Sequence, residues 1–202
     1  MGNKHRTFDT RETHGQVMVG VKMPTLRYLN AFVRLRCAPD LLHWDVFPNA
    51  KEITESFAGL QAASQVMGKN SRSASHLCIV VGDGSTPRTG ALIACCTNWN
   101  VVSIDPRMRV EKNWPIRRLS LARTTIEEWI PTNRSTQRPI VVAVHSHAKL
   151  AFVGTMIPPP LAVVAIPCCV PHTLDGWNRE EYTDWGIHSP ERDVIIFTPV
   201  VR

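Results

Sequence analysis

Ile79-Val80-Val81-Gly82-Asp83-Gly84-Ser85-Thr86-Pro87-Arg88-Thr89-Gly90 is the stretch on which the fold turns. It closes a short β-rich apolar run, His76 to Val81, and opens a helical pattern from Pro87 to about Cys96. Gly82 and Gly84 permit a tight strand-to-helix turn and close approach of a ligand to the backbone. Thr86 reads as an N-cap and Pro87 as a first helical residue. Arg88 puts a cation in the first turn, against the helix dipole. It therefore calls for an anionic partner, either Asp83 or a carboxylate on a ligand.

Downstream the alternation continues. Val101 to Ile104 is a second strand ending at Asp105, and Arg117 to Ala122 a third, with a short helix over Thr124 to Ile130. Ile140 to Val144 is a fourth strand, followed by a helix near Lys149 to Met156, and Leu161 to Ile166 is a fifth. Tyr182 to Ile187 and Asp193 to Val200 form a closing hairpin around the turn at 188–192. Strands alternating with helices imply parallel βαβ units, and all-apolar runs imply a sheet covered on both faces. The expected fold is α/β, a Rossmann-like doubly wound, mostly parallel sheet with a C-terminal antiparallel hairpin.

Upstream, residues 1–75 read as a helical extension, and 76–202 as one compact Rossmann-like unit. The extension is irregular to Pro24. Leu26, Leu29, Phe32, Val33 and Leu35 then recur at helical spacing up to a stop at Pro39. Residues 40–50 make a packed connection, Lys51 to Met67 a second helix, and Gly68 to Ser75 a loop.

The turn at Gly82 speaks to the ligand. The nicotinamide fingerprint G-x-G-x-x-G would need a third glycine where Pro87 stands, and Asp83 would repel a pyrophosphate. S-adenosylmethionine carries no phosphate, and its ammonium group attracts an acid. The loop residues Gly82, Asp83, Gly84, Ser85, Thr86 and Arg88 are thus the expected donor-binding set. Asp105, at the end of the second strand, is suited to accept both ribose hydroxyls. On the Gly82–Gly90 loop and Asp105, residues 76–200 resemble the class I S-adenosylmethionine-dependent methyltransferases. The resemblance implies a Rossmann-like sheet, that cofactor, and methyl transfer. Two departures stand out: Thr86 replaces the third glycine of the family loop, and Ala122-Arg123-Thr124 lacks the acid that usually follows the third strand near the adenine.

Two clusters follow the strands that would face an acceptor. His145-Ser146-His147-Ala148 comes after the fourth, and Pro167-Cys168-Cys169-Val170-Pro171-His172 after the fifth. His145 or His147 suits general-base or positioning chemistry near neutral pH. Some members of the resembled class carry a histidine after strand four and a Cys-Cys pair after strand five, with activities mostly on RNA. Cys168 is a candidate nucleophile, as in the cytosine-C5 RNA methyltransferases. Those enzymes also need a Pro-Cys after strand four, which this chain lacks. His145, His147, Cys168, Cys169 and His172 supply enough nitrogen and sulfur for zinc. Their spacing matches no standard zinc module, and adjacent cysteines chelate one ion awkwardly, so no metal is assigned. The plainest reading is two thiols packed as small hydrophobes beside hydrogen-bonded histidines. No Asn/Asp-Pro-Pro-Tyr/Phe tetrapeptide follows the fourth strand, and no Lys-Asp-Lys-Glu series can be placed.

The 202 residues are 44% hydrophobic and carry a net charge of +6. Residues 1–38 hold seven Lys/Arg against two acids, and 107–138 hold eight against three. Such segments favour RNA or another polyanion through phosphate contacts. No run approaches the ~20 apolar residues of a membrane span, and the polar start is unlike a secretory signal. The six cysteines suit a reducing, intracellular setting. Two functions are expected from these residues: methyl transfer to RNA or another polyanionic acceptor, or a non-catalytic RNA- or protein-binding module on the same scaffold.

Overall fold

The computed structural model describes residues 23–68, 76–112, 114–133, 135–170 and 172–200. Most of the expected irregular start and the loop before the first strand lie outside the described residues. Three helices come first: α1 (Arg27–Phe32), α2 (Ala38–His43) and α3 (Ala50–Met67). Pro39 does not stop a helix but sits in the first turn of α2. Its missing N–H is unneeded there and its fixed φ suits helix entry. α3 starts where the Asn49 side chain accepts from the Glu52 N–H at 3.0 Å.

The sheet follows as β1 (Leu77–Val81), β2 (Asn100–Ile104), β3 (Leu119–Ala122), β4 (Ile140–Val144), β5 (Ala162–Ile166), β6 (Trp177–Thr183) and β7 (Asp193–Pro199). Helices α4 (Arg88–Cys96) and α5 (Ile126–Thr132) and a 3₁₀ turn (Leu150–Thr155) connect the strands. Spatial order is β3-β2-β1-β4-β5-β7-β6. The first five are parallel, and β7 enters antiparallel to both β5 and β6. This is the expected doubly wound sheet with its antiparallel end.

The apolar runs divide by alternation. Val80, Val142 and Val164 face a core shared with α1, α3 and α4, while Ile79, Val141 and Val163 face one shared with α5 and the 3₁₀ turn. Burying each such side chain stabilises the fold by about 1.5–3 kcal/mol. Both faces are covered, so no strand of the centre has a polar side.

Three expected elements moved. The hairpin's first strand begins at Trp177, and Asp184 to Ile187 form part of the turn instead. β6 is an edge strand whose Asn178-Arg179-Glu180-Glu181 are all exposed, so no apolar alternation marked it. Asp184 is buried and accepts from Tyr28 Oη at 2.5 Å, from Arg27 and from the Gly186 N–H. The segment after β4 winds as 3₁₀, and the third strand starts at Leu119 because Arg118 takes a left-handed φ of 67°. Among the described residues, no helix is long and apolar enough to cross a membrane.

Candidate cofactor cleft

The order reverses between β1 and β4, and at such a switch point the carboxyl ends of the strands leave a crevice. A cleft of about 490 Å³ lies there, with Gly82, Asp105, Thr125, His145, His147 and Lys149 among its lining. A smaller recess of about 170 Å³ shares Gly82, Arg107 and His145 with it and adds Glu52, Asp83, Gly84 and Arg88.

The loop after β1 is built by two glycines and two acids. Gly82 (φ 71°) and Gly84 (φ 85°) are left-handed, the region where only glycine is free of Cβ strain. Asp83 is turned beneath the loop. Its Oδ1 accepts from the Thr89 N–H at 2.8 Å, and its Oδ2 from the Gly90 N–H at 2.9 Å and the Ser103 hydroxyl at 2.7 Å. Burial pushes its carboxyl up, and these three donors pull it back. Three of the roughly four lone-pair sites of Asp83 are thus held by the first turn of α4 and by β2, which leaves one, on Oδ1, at a residue that lines the smaller recess.

Asp105 is likewise buried, and each oxygen meets one backbone donor. Oδ2 accepts from Gly84 N–H at 2.9 Å and Oδ1 from Arg107 N–H at 2.7 Å. A carboxylate has about four lone-pair sites, so two of them remain. Asp105 lines the cleft; Ser85 and Thr86 do not. Thr86 does not cap α4, for its hydroxyl donates to the Val46 carbonyl at 2.9 Å and Pro87 occupies the cap. Arg88 pairs with Glu52 of α3 and not with Asp83. Its Nε is buried and unpartnered on the rim of the recess.

The two histidines part company after β4. His145 has a left-handed φ of 48°, and this turn sends it beneath α3 while His147 stays exposed. His145 Nε2 lies 3.2 Å from Glu55 Oε1, without the alignment of a hydrogen bond. Glu55 is fully buried, its carboxyl pushed up by burial, and it accepts from Lys51 Nζ at 2.7 Å. His147 Nε2 is instead 3.4 Å from Cys169 Sγ, and Cys168 Sγ is 3.6 Å from Cys169 Sγ. Cys168 is half-buried, with a long contact to the His145 carbonyl. His172 is buried with Nε2 unpartnered.

Glu52, Glu55 and Lys51 were not singled out in the sequence. A Lys51–Glu55 pair four residues apart reads as a solvated helix face. The signal that it was not is the buried Thr54-Glu55-Ser56 run amid the apolar residues of α3, which only the packing of that helix reveals.

No protein-family model and no curated protein matches the sequence. Among solved structures, a crystal structure of a mutant of MtNAS is similar at a TM-score of 0.53 and 12% identity, over 86% of this chain and 69% of that one. The two share a fold, the doubly wound, mostly parallel sheet with an antiparallel end. A human methyltransferase 10 domain containing protein gives a TM-score of 0.48 at 11% identity, over 74% of this chain and 84% of that one. The METTL16 MTase domain gives 0.46 at 12%, over 69% of this chain and 65% of that one. At these identities the likeness is one of fold.

Half-buried His145 and buried His172 make stability depend on pH. Burial holds His145 and His172 below the ordinary 6.5. The unfolded chain therefore binds more protons as pH falls. Their contribution is full above about pH 6.5 and is lost as pH drops toward the depressed folded values. The urea midpoint should fall from pH 7.5 to 5.5, and the fall should be shallower in a His145→Gln/His172→Gln double variant. Parallel profiles for the two proteins would contradict this.

Proposed function

We propose that this chain binds S-adenosylmethionine in the cleft and transfers its methyl group to RNA or another polyanionic acceptor. The observation that carries the reading is Asp105. It is a buried carboxylate on the wall of the switch-point cleft, with a second lone pair on each oxygen for a pair of vicinal hydroxyls once the exposed Arg107 guanidinium, 3.6 Å from Oδ1, gives way. The bound donor supplies an electrophilic methyl group on sulfonium. Ile104 and Ile126 give the cleft an apolar wall for the adenine in place of an acid after β3. Arg123, which stands near that missing acid, is held by the Met108 carbonyl and Glu111. The orphaned Arg88 Nε fits the donor's carboxylate in the smaller recess. In this reading His145 takes the acceptor's proton, and Glu55 beside it stabilises the cation that results. Alignment of donor and acceptor supplies much of the remaining rate.

The acceptor class rests on two cations of the cleft lining, Lys149 and Arg107, whose side chain is 79% exposed while its Nε lies 3.6 Å from Asp105 Oδ1. Much of the remaining basic surface is taken up internally. Arg118 donates to the Ala94 and Thr97 carbonyls, Arg138 to those of Pro159 and Pro160, and Lys112 to that of Trp44. The second reading, a non-catalytic RNA- or protein-binding module, draws on Asp83, most of whose acceptor capacity is taken up within the fold.

Calorimetric titration with S-adenosylmethionine and S-adenosylhomocysteine separates the two. Wild type should bind in the micromolar range. Asp105→Asn, which keeps one acceptor oxygen, and Asp105→Ala should lose about 2–3 kcal/mol, roughly 30- to 150-fold. Unchanged affinity in a folded Asp105→Ala protein, or no binding by folded wild type, overturns the enzyme reading. RNA affinity that persists in that second case supports the binding module. Arg107→Gln should weaken RNA binding and flatten its salt dependence.

A further inference from the structure

We propose that His147, Cys168 and Cys169 form a three-ligand zinc site at the rim of the cleft. β4 and β5 pair in parallel with Val144 beside Ile166, so the residues just past each strand end lie side by side. His147 is three positions beyond the first, and Cys168 and Cys169 two and three beyond the second. On a straight strand adjacent cysteines would point to opposite faces. Here the chain bends over residues 168–170, past the end of β5, and both sulfurs come to one side.

The distances match a coordination shell. Zinc–sulfur bonds of about 2.3 Å and zinc–nitrogen bonds of about 2.0–2.1 Å at tetrahedral angles give edges of ~3.8 Å between sulfurs and ~3.6 Å from sulfur to nitrogen. The observed separations are 3.6 Å between the sulfurs and 3.4 Å from Cys169 Sγ to His147 Nε2. All three ligand atoms lie within 4.8 Å of one another. One imidazole and two thiols are a borderline-soft set that suits zinc and not magnesium or calcium.

His147 and Cys169 are exposed, so an ion can enter from solvent. Three protein ligands leave a fourth position, the pattern of zinc sites that engage water or substrate. His147 also lines the cleft, so that position opens beside it. Binding releases the two thiol protons to solvent and leaves zinc divalent. The site goes beyond methyl transfer and is measured without the donor.

The test uses the full chain, reduced and stripped with chelator, titrated with Co²⁺. Sulfur-to-cobalt absorption in the near ultraviolet and strong visible bands of tetrahedral cobalt are expected, both bleached by one equivalent of Zn²⁺. His147→Ala, Cys168→Ser and Cys169→Ser should each weaken zinc by about tenfold or more. Cys95→Ser, on α4, should leave binding unchanged. Two of the three substitutions are at exposed side chains, and circular dichroism checks that each variant folds. Absence of the sulfur-to-cobalt band in folded wild type overturns the site. So does its survival in a Cys168→Ser/Cys169→Ser double variant, or its loss in Cys95→Ser.

Discussion

Asp83→Ala should destabilise the protein by about 3–6 kcal/mol, because three donors lose their acceptor at once. The Thr89 and Gly90 N–H groups and the Ser103 hydroxyl all converge on this carboxylate, and Asp83, Thr89 and Ser103 are themselves buried. Each buried donor left without a partner costs about 1–3 kcal/mol. The space beneath the loop is tight, since Gly90 packs so closely that a Cβ there would lie 3.0 Å from Ser103 Cβ. A typical domain has about 5–15 kcal/mol in total, so the loss is a large share of the fold's stability. Asp83→Asn keeps one acceptor and should lose roughly half as much, and Ser103→Ala about 1 kcal/mol. Urea unfolding measures all three, and amide exchange at Thr89 and Gly90 should quicken in step. A change under about 1 kcal/mol in Asp83→Ala would show that the three bonds are not what holds α4 to the sheet.

Gly82→Ala should cost about 2–5 kcal/mol, from left-handed strain of about 1–2 and overpacking of about 1–3. A Cβ on Gly82 would lie 2.1 Å from Ser146 Oγ, 2.8 Å from its Cβ and 3.2 Å from its Cα. Ser146 is buried, and its hydroxyl accepts from the Ala148 N–H at 3.1 Å, so it has no empty space to enter. Relief requires the whole His145–Ala148 segment to move, which should also weaken donor binding. Gly84 is the control. Its φ is similar, but its Cβ would meet Arg88 Nη2 at 1.9 Å, the far end of a flexible side chain. Gly84→Ala should therefore cost about 1–2 kcal/mol of strain, with a surface adjustment of the Arg88–Glu52 pair in place of a backbone shift. Equal melting temperatures for the two variants would mean the contact with Ser146 carries no weight.

The sheet was legible because its strands declare themselves locally. Runs such as Ile140 to Val144 and Ala162 to Ile166 are too apolar for anything but a strand covered on both sides, and the glycines at 82 and 84 mark the turn that follows the first. Asp105 was legible for the same reason, standing at a strand end a fixed distance from that turn. What stayed hidden depends on contacts across the chain. Arg88 advertised the need for an acid, but its partner Glu52 is 36 residues earlier on α3. Nothing local shows that the Ser103 hydroxyl lies beneath Asp83 and takes part of its acceptor capacity. β6 has polar residues on both faces and is a strand only because β7 pairs with it. The Cys168–Cys169 pair looked cramped, and nothing local shows that both sulfurs lie within 4.8 Å of a His147 ring nitrogen.

The bond between Tyr28 and Asp184 joins residues 156 apart. With ribosomes adding about 5–20 residues per second, α1 waits roughly 8–30 s for its partner to be made. α3 fares little better, since the β4, β5 and β7 surfaces that cover it come far later in synthesis. Through that interval the face of α3 that β4, β5 and β7 later cover lacks its partner, the kind of exposed apolar surface on which aggregation starts and chaperones act.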